Sequence, residues 1–222
     1  MIFTIQERIY LCLCSLFAVL IVTGNLVYQK FVILPILPFH TFELSIGAIL
    51  YPFTFMISDL LAEFYGREKA RFCVKLALSL NILIALIIFI MDHLPATTWS
   101  TVNNQMFHQV FGHTATASLI SVTAAYISQR FDISAYLFIR EKSGWLGLSN
   151  FGSTSLSLFI DTCLVVSILN LFSLIPAGQA GWLIFNGYLF KLCLTACNVP
   201  IFYASLALIR NLKRNSAKDL ER

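Results

Sequence analysis

The sequence predicts an all-α membrane protein with six transmembrane helices and both termini in the cytoplasm. Composition is the first reason. Of 222 residues, 58% are hydrophobic and only 12% charged, with a mean hydropathy of +0.80. Ordinary globular domains carry about 25% charged residues, and a soluble fold must dress its surface in polar groups. The second reason is length. Crossing a hydrocarbon core of about 30 Å takes about 20 helical residues, and six apolar stretches, near 9–29, 42–61, 72–91, 115–139, 153–175 and 182–209, are long enough. Lipid accepts no unpaired backbone, and the alternation of a β-barrel is absent, so these stretches read as helices. The third reason is the alternating placement of Lys and Arg.

The first stretch follows Glu7 and Arg8. It stays apolar for longer than a signal-peptide core and lacks a small-x-small cleavage site, so it reads as a retained span. Span two contains Pro52, which would kink it, and leads into a loop with Arg67, Lys69 and Arg71; Lys75 lies just inside span three. Span four is interrupted by Arg130 and Asp132 and is followed by Arg140 and Lys142. Span six contains Pro200 and ends in a tail with Arg210, Lys213, Arg214, Lys218 and Arg222. The opposite connections hold Lys30 alone, with no Lys or Arg in 92–114 or 174–182. Basic loops stay inside, so an even number of spans leaves both ends cytoplasmic. Trp99 and Trp182 fit anchors at the outer interface, and Trp145 fits an inner one. The whole chain, 1–222, reads as one integral membrane domain with no separate soluble module.

Several function classes are excluded. The net charge of +4 comes from residues between apolar runs, so it encodes topology rather than nucleic-acid binding. The six cysteines all fall in apolar runs, without the paired Cys/His spacing of a zinc site. They read as small packing groups. His40, His93, His108 and His113 lie in or beside outer loops. There is no H-E-x-x-H, no G-x-S-x-G and no G-x4-G-K-[ST]. The reading is therefore not an enzyme, with no cofactor, no metal and no ATPase of its own.

Charge inside a bilayer costs about 2.5–3.5 kcal/mol per residue at the centre and marks a functional site by default. The candidates are Asp59, Arg130, Asp132, Asp161 and Lys191. Asp161 lies eight residues in from the inner end of its span, Asp132 about seven, and Asp59 nearer the edge. Three carboxylates from three helices are thus expected in the inner half of the membrane. Helical spacing extends them into stripes. Asn150, Thr154, Ser157 and Asp161 share a face, as do Lys191, Thr195 and Asn198; Asn25 and Gln29 form an i, i+4 pair, and Gln129 lies near Asp132. Such stripes on several helices line a wet or ligand-filled cavity. Plainer readings stand beside this one. Ser153, Ser155 and Ser157 bond back to their own helix. Asp59 and Glu63 cap the basic loop 66–71. Arg130 and Asp132 neutralise each other, and Lys191 snorkels or pairs with an aspartate.

Read together, these residues resemble a known family. Span one ends in Asn25-x4-Lys30; span two reads Gly47-Ala-Ile-Leu-Tyr51-Pro52, then Ser58-Asp59-Leu-Leu-Ala-Glu63-Phe-Tyr65-Gly66-Arg67. Later come Ser128-Gln129-x-x-Asp132, Ser153-Thr154, Asp161-Thr162, and Lys191 with Pro200. In this order they look like the vitamin-uptake transporters whose better-known members carry queuosine precursors. Where that family usually has a Gln three residues before the span-five Asp, this chain has Leu158. The resemblance implies uptake, across a bacterial inner membrane, of a purine-like 7-deazaguanine base such as preQ0, preQ1 or queuine, used to modify tRNA. It assigns Asp132 and Asp161 as acceptors for the base edge, supported by Gln129, Asn25, Lys191 and Asn198. Asp59, Glu63, Thr154 and Arg130 then serve the pathway or its gates. Tyr51, Phe55 and Tyr126 are candidates to stack on the flat rings. A separate energising ATPase module, a homo-oligomer, and a membrane-embedded enzyme or structural role are left open by the sequence.

Overall fold

The computed structural model describes residues 4–37, 40–172 and 178–220. Residues 174–177 of the outer connection expected at 174–182, and Arg222, lie outside them, as do the side chains of Lys213, Arg214 and Lys218.

Helix α1 spans Ile5–Val27. Its start is fixed by a capping box: the Thr4 amide donates to Glu7 Oε2 at 2.8 Å, and the Glu7 amide donates back to Thr4 Oγ1 at 3.3 Å. Cys14, Phe17, Ile21, Gly24 and Asn25 recur at helical spacing and are buried. Leu11, Leu16 and Val19 point outward. Both faces are apolar, as a helix between protein and lipid requires.

The region after α1 departs from expectation. Residues 42–45 do not begin a helix. Strands β1 (Phe31–Leu37) and β2 (His40–Ser45) form an antiparallel hairpin, with Val32 opposite Leu44 and Leu34 opposite Phe42. Phe42 and Leu44 are buried, whereas Thr41 and Glu43 between and beside them are exposed, the period of two that a strand imposes. Phe42 meets Phe190 edge to face, with centroids 5.4 Å apart. A 3-10 turn over Ile46–Ile49 follows. It crosses α1 so closely that a Cβ at Gly47 would overlap the Gly24 carbonyl oxygen.

Helix α2 (Tyr51–Asp92) therefore starts nine residues later than the 42 expected for span two. Pro52 sits in its first turn, where a missing N–H costs nothing, and kinks nothing. Gly66 breaks the helix, with φ 82° and ψ 171°, a conformation that is essentially glycine's alone. Along the first arm, Thr54, Ser58 and Glu63 meet Gln129, Asp132 and Tyr136 in rising order. Along the second, Arg71 meets Ser134, and Asp92 reaches His108, far earlier in the chain. The contacts thus rise along the chain for the first arm and fall for the second. At the expected basic loop 66–71 the helix kinks at Gly66, flanked by Tyr10 donating to the Lys69 carbonyl at 3.0 Å and Tyr65 donating to the Gln6 carbonyl at 2.9 Å.

A short amphipathic helix, α3 (Asn104–Phe111), precedes α4 (Thr114–Ser143), α5 (Leu146–Leu171) and α6 (Ala180–Leu220). Among the described residues the regular structure is thus helical apart from one hairpin. Among the described residues, five helical segments are long and apolar enough to cross a bilayer: Ile5–Val27, Ile46–Asp92, Asn104–Ser143, Leu146–Leu171 and Ala180–Leu212. The second of these, at 47 residues, is about twice the length one crossing needs. Phe17, Phe55, Leu61, Ile133, Leu158 and Phe202 pack the centre of the bundle with no exposure, while Leu83, Leu86, Leu119 and Leu156 face outward. It is a multi-pass membrane protein.

Candidate functional site

A cavity of about 970 Å³ occupies the hairpin end of the bundle. Its walls come from the C-terminal end of α1 (Asn25, Gln29), from β1, from the start of α4 (Thr116, Ile120), and from α5 and α6. At its deepest point lie Tyr51, Asp161, Thr162 and Lys191. The Lys191 ammonium donates to Asp161 Oδ2 and to Thr162 Oγ1, both at 3.1 Å, and lies 5.1 Å from the centroid of the Tyr51 ring. Ser128 donates to the other Asp161 oxygen at 3.3 Å. The side chains of Asp161 and Lys191 are 2% and 10% exposed. Their charge is cancelled and their hydrogen bonds are made before any ligand arrives.

Below that floor the polar residues continue, but the cavity does not. Asp59 and Asp132 are fully buried and within hydrogen-bonding reach of each other. Asn150 Nδ2 donates to Asp59 Oδ2 at 2.6 Å, and Ser58 donates to Asp132 Oδ2 at 3.3 Å. Gln129 donates to Thr54 Oγ1 at 3.1 Å. One helical turn further along α2, Glu63 accepts from Tyr136 Oη at 3.0 Å and from Arg140 Nε at 3.3 Å; Arg210 stands 3.9 Å away. Three layers of charge, the first two buried and the third partly exposed, thus follow one another through the bundle.

The expected site residues separate between these layers. Asp161, Lys191 and Asn25 line the cavity. Asp132, Gln129 and Thr154 do not; they belong to the layer beneath, with Asp59. Asn198 is 2% exposed, off the cavity wall, with neither side-chain polar atom hydrogen-bonded. Glu63 joins the third layer, where it neutralises arginines of α4 and α6 rather than the chain beside it. Arg130 turns away from Asp132: it donates to Tyr126 Oη at 2.7 Å on the outer surface. Tyr126 therefore cannot stack on a ligand in the cavity, and Phe55 is buried in the core. Only Tyr51 of the three aromatic candidates reaches it.

Two expectations change with helix boundaries. Helix α5 begins at Leu146, not 153, so Asp161 lies fifteen residues in, about 22 Å along a 26-residue helix and near mid-depth. The stripe Asn150–Thr154–Ser157–Asp161 is real and buried throughout, but only its last member faces the cavity; the rest packs against α2 and α4. Ser153, Ser155 and Ser157 do bond back to carbonyls of their own helix. Sequence reasoning does not single out Tyr136, Arg140 or Ser128 as site residues. A signal is present, because Ser128, Asp132, Tyr136 and Arg140 recur every four residues along α4. The hairpin contribution of Phe31, Val32 and Ile33 has no comparable marker.

With this geometry in place, comparison adds kinship. Residues 45–205 match the family described as "Putative vitamin uptake transporter". A protein of Bacillus subtilis (strain 168) named "Probable queuosine precursor transporter" is 28% identical over 179 residues, covering 78% of this chain and 76% of that protein. No solved structure matches the chain.

Proposed function

This chain belongs to the vitamin uptake transporter family, a family of transporters and not of enzymes, and we propose that it imports a queuosine precursor, a 7-deazaguanine base. The observation that carries the reading is the Asp161–Lys191 pair on the floor of the cavity, beside the Tyr51 ring. A 7-deazaguanine edge offers a ring N–H and an exocyclic amine side by side, and next to them a carbonyl. An ionised carboxylate accepts from the first two together; an ammonium donates to the third. Lys191 and Asp161 present those complementary functions on adjacent helices, and Tyr51 supplies a face for the rings. Asn25 and Gln29 are available from α1. The name carried by the Bacillus relative points the same way.

The test is genetic. A bacterial host unable to make queuosine regains modified tRNA from an external precursor only when this chain is present. An analogue without the exocyclic amine competes poorly, because the carboxylate loses a partner at a cost of about 1–3 kcal/mol. Modification that depends on the precursor but not on the protein refutes the substrate.

The same reading includes six crossings of the bacterial inner membrane with both termini cytoplasmic. Three observations support it. The contacts of the two arms of α2 run in opposite order, Gly66 breaks the helix between them, and Glu63, Arg67, Arg71, Arg140 and Arg210 belong to one end of the bundle. The cavity then opens outward. A reporter fused to the C-terminus that is active only outside the cell refutes this orientation.

A further inference from the structure

We propose that Asp59 and Asp132 form a proton-coupling site, separate from the base site, in which the two carboxyl groups share one proton. The proposal rests on the transporter reading and adds its energy source. It begins from charge. The cavity floor is neutral, because Asp161 is paired with Lys191. The layer at the far end is compensated, because Glu63 faces Arg140 and Arg210. Between them, Asp59 and Asp132 have no exposure, and none of the cations of the other two layers reaches them: Lys191 bonds to Asp161 and Thr162, and Arg140 bonds to Glu63 and the Gly144 carbonyl. Two bare carboxylates at this depth would repel each other without compensation, a cost that interiors avoid by keeping a proton.

Hydrogen-bond accounting leads to the same place independently. Asp59 Oδ1 and Asp132 Oδ1 are buried without a donor, although the second oxygen of each accepts a bond. Around them, Asn150 Oδ1 is also buried without a partner, and the hydroxyl groups of Thr154 beside Asp59 and of Ser153 and Ser157 beside Asp132 are the nearby neutral donors. The two carboxylates bring no proton of their own, and each keeps one oxygen without a hydrogen-bond partner. One proton, bound to one carboxyl and donated to the other, supplies what is missing on both aspartates.

Position gives the site its role. Asp132 is one helical turn from Ser128, whose hydroxyl bonds to Asp161 at the cavity floor. Asp59 is one turn from Glu63, at the closed end. Tyr136 on α4 lies near Asp59 and Glu63, and the next titratable groups outward are Glu63 on α2 below the pair and Asp161 on α5 above it, reached through Ser128. A proton taken from the cavity side reaches the shared position when the bundle is open outward. It leaves toward Glu63 when the first arm of α2 moves against α4, and one proton enters per base carried. The charge state of the pair is thereby tied to the same two helices whose separation opens or shuts the inner end.

The experiment uses the full chain in proteoliposomes with labelled preQ1 as the probe, with the membrane potential clamped. A gradient of one pH unit, acidic outside, is worth about 1.4 kcal/mol, so the lumen accumulates base about tenfold over outside, and a trapped dye reports acidification as it enters. Asp59→Asn and Asp132→Asn each abolish the accumulation and the dye signal while the detergent-solubilised protein still binds preQ1; Asp161→Asn loses binding. Infrared difference spectra of the unaltered protein provide a readout that needs no variant: a protonated-carboxyl C=O band is present at neutral pH and lost as the pair is titrated. Accumulation driven by sodium and indifferent to pH, or the absence of that band at every pH, overturns the proton site and leaves the base site standing. Failure of the unaltered protein to bind or carry preQ1, with the carboxyl band present, instead refutes the substrate and leaves the shared proton in place.

Discussion

Toward the hairpin end, the bundle encloses about 970 Å³ and buries an ion pair at the bottom of that space. Toward the opposite end, Asp59, Asp132, Asn150 and Gln129 are buried off that cavity, and Glu63, Tyr136, Arg140 and Arg210 lie beyond them. Both halves are polar along their axis, yet they differ in what the polarity does. In the cavity half, charge is balanced within the protein, Lys191 against Asp161, while Gln29 and Tyr51 keep buried polar atoms without partners. In the packed half, the two aspartates have no cation against them, and the layer outside them is held by charges that solvent partly screens. On the transport reading proposed above, selectivity for a ligand belongs to the cavity half and movement to the packed half.

The contrast breaks most clearly at Lys191. Lys191→Met leaves Asp161 buried without its cation, and losing one partner of a buried pair costs about 3–5 kcal/mol. The thermal midpoint in detergent should fall further than it does for a substitution at Gly47 or Glu63. Adding Asp161→Leu should recover most of that stability while leaving uptake at zero, because a buried pair is often replaceable by apolar groups. A double variant no more stable than the single one would mean that the pair is not the source of the loss.

Gly47→Ala tests how the cavity wall is assembled. Its new Cβ meets the Gly24 backbone, which cannot swing aside as a side chain can, and overpacking of this kind costs about 1–3 kcal/mol. Uptake should drop along with stability, since Gly24 and Gly47 both line the cavity. Unchanged melting would show that α1 and the 3-10 turn are not held this close.

The smallest effect is expected at Glu63→Gln. Arg140 and Arg210 are 30% and 57% exposed on their side chains, so the ion pairs are partly screened and worth about 1 kcal/mol or less. The difference from the unaltered protein should shrink further as salt is added. A loss equal to that of Lys191→Met, insensitive to salt, would erase the contrast between the two halves.

The residues that carry these effects are legible in the sequence to different degrees. Asp161 and Lys191 are identifiable because a charge inside an apolar run has few explanations. Pairing with an aspartate is one of the readings open for Lys191, but the sequence does not select Asp161 over Asp132 as its partner. Asp132 groups with the cavity on sequence alone because helical spacing reports a face and not the neighbour across from it. The hairpin reads as loop and the start of a span, since a short apolar run of Phe, Val, Ile and Leu fits either strand or helix. Pro52 reads as a kink for the same reason: its meaning depends on where the helix begins.

What the sequence determined by itself is the class of solvent and the apolar segments that meet it, because hydropathy summed over about 20 residues outweighs any single contact. The alternation of basic loops and the presence of buried carboxylates also follow from residue type and spacing. Tertiary structure alone decided that these carboxylates fall into three layers, one paired with lysine, one with arginines, and one with neutral donors and no cation. That partition depends on distances of a few ångströms between side chains 30 to 91 positions apart in the chain. Helical period fixes direction along one element; the partner across the gap is set only when several elements pack.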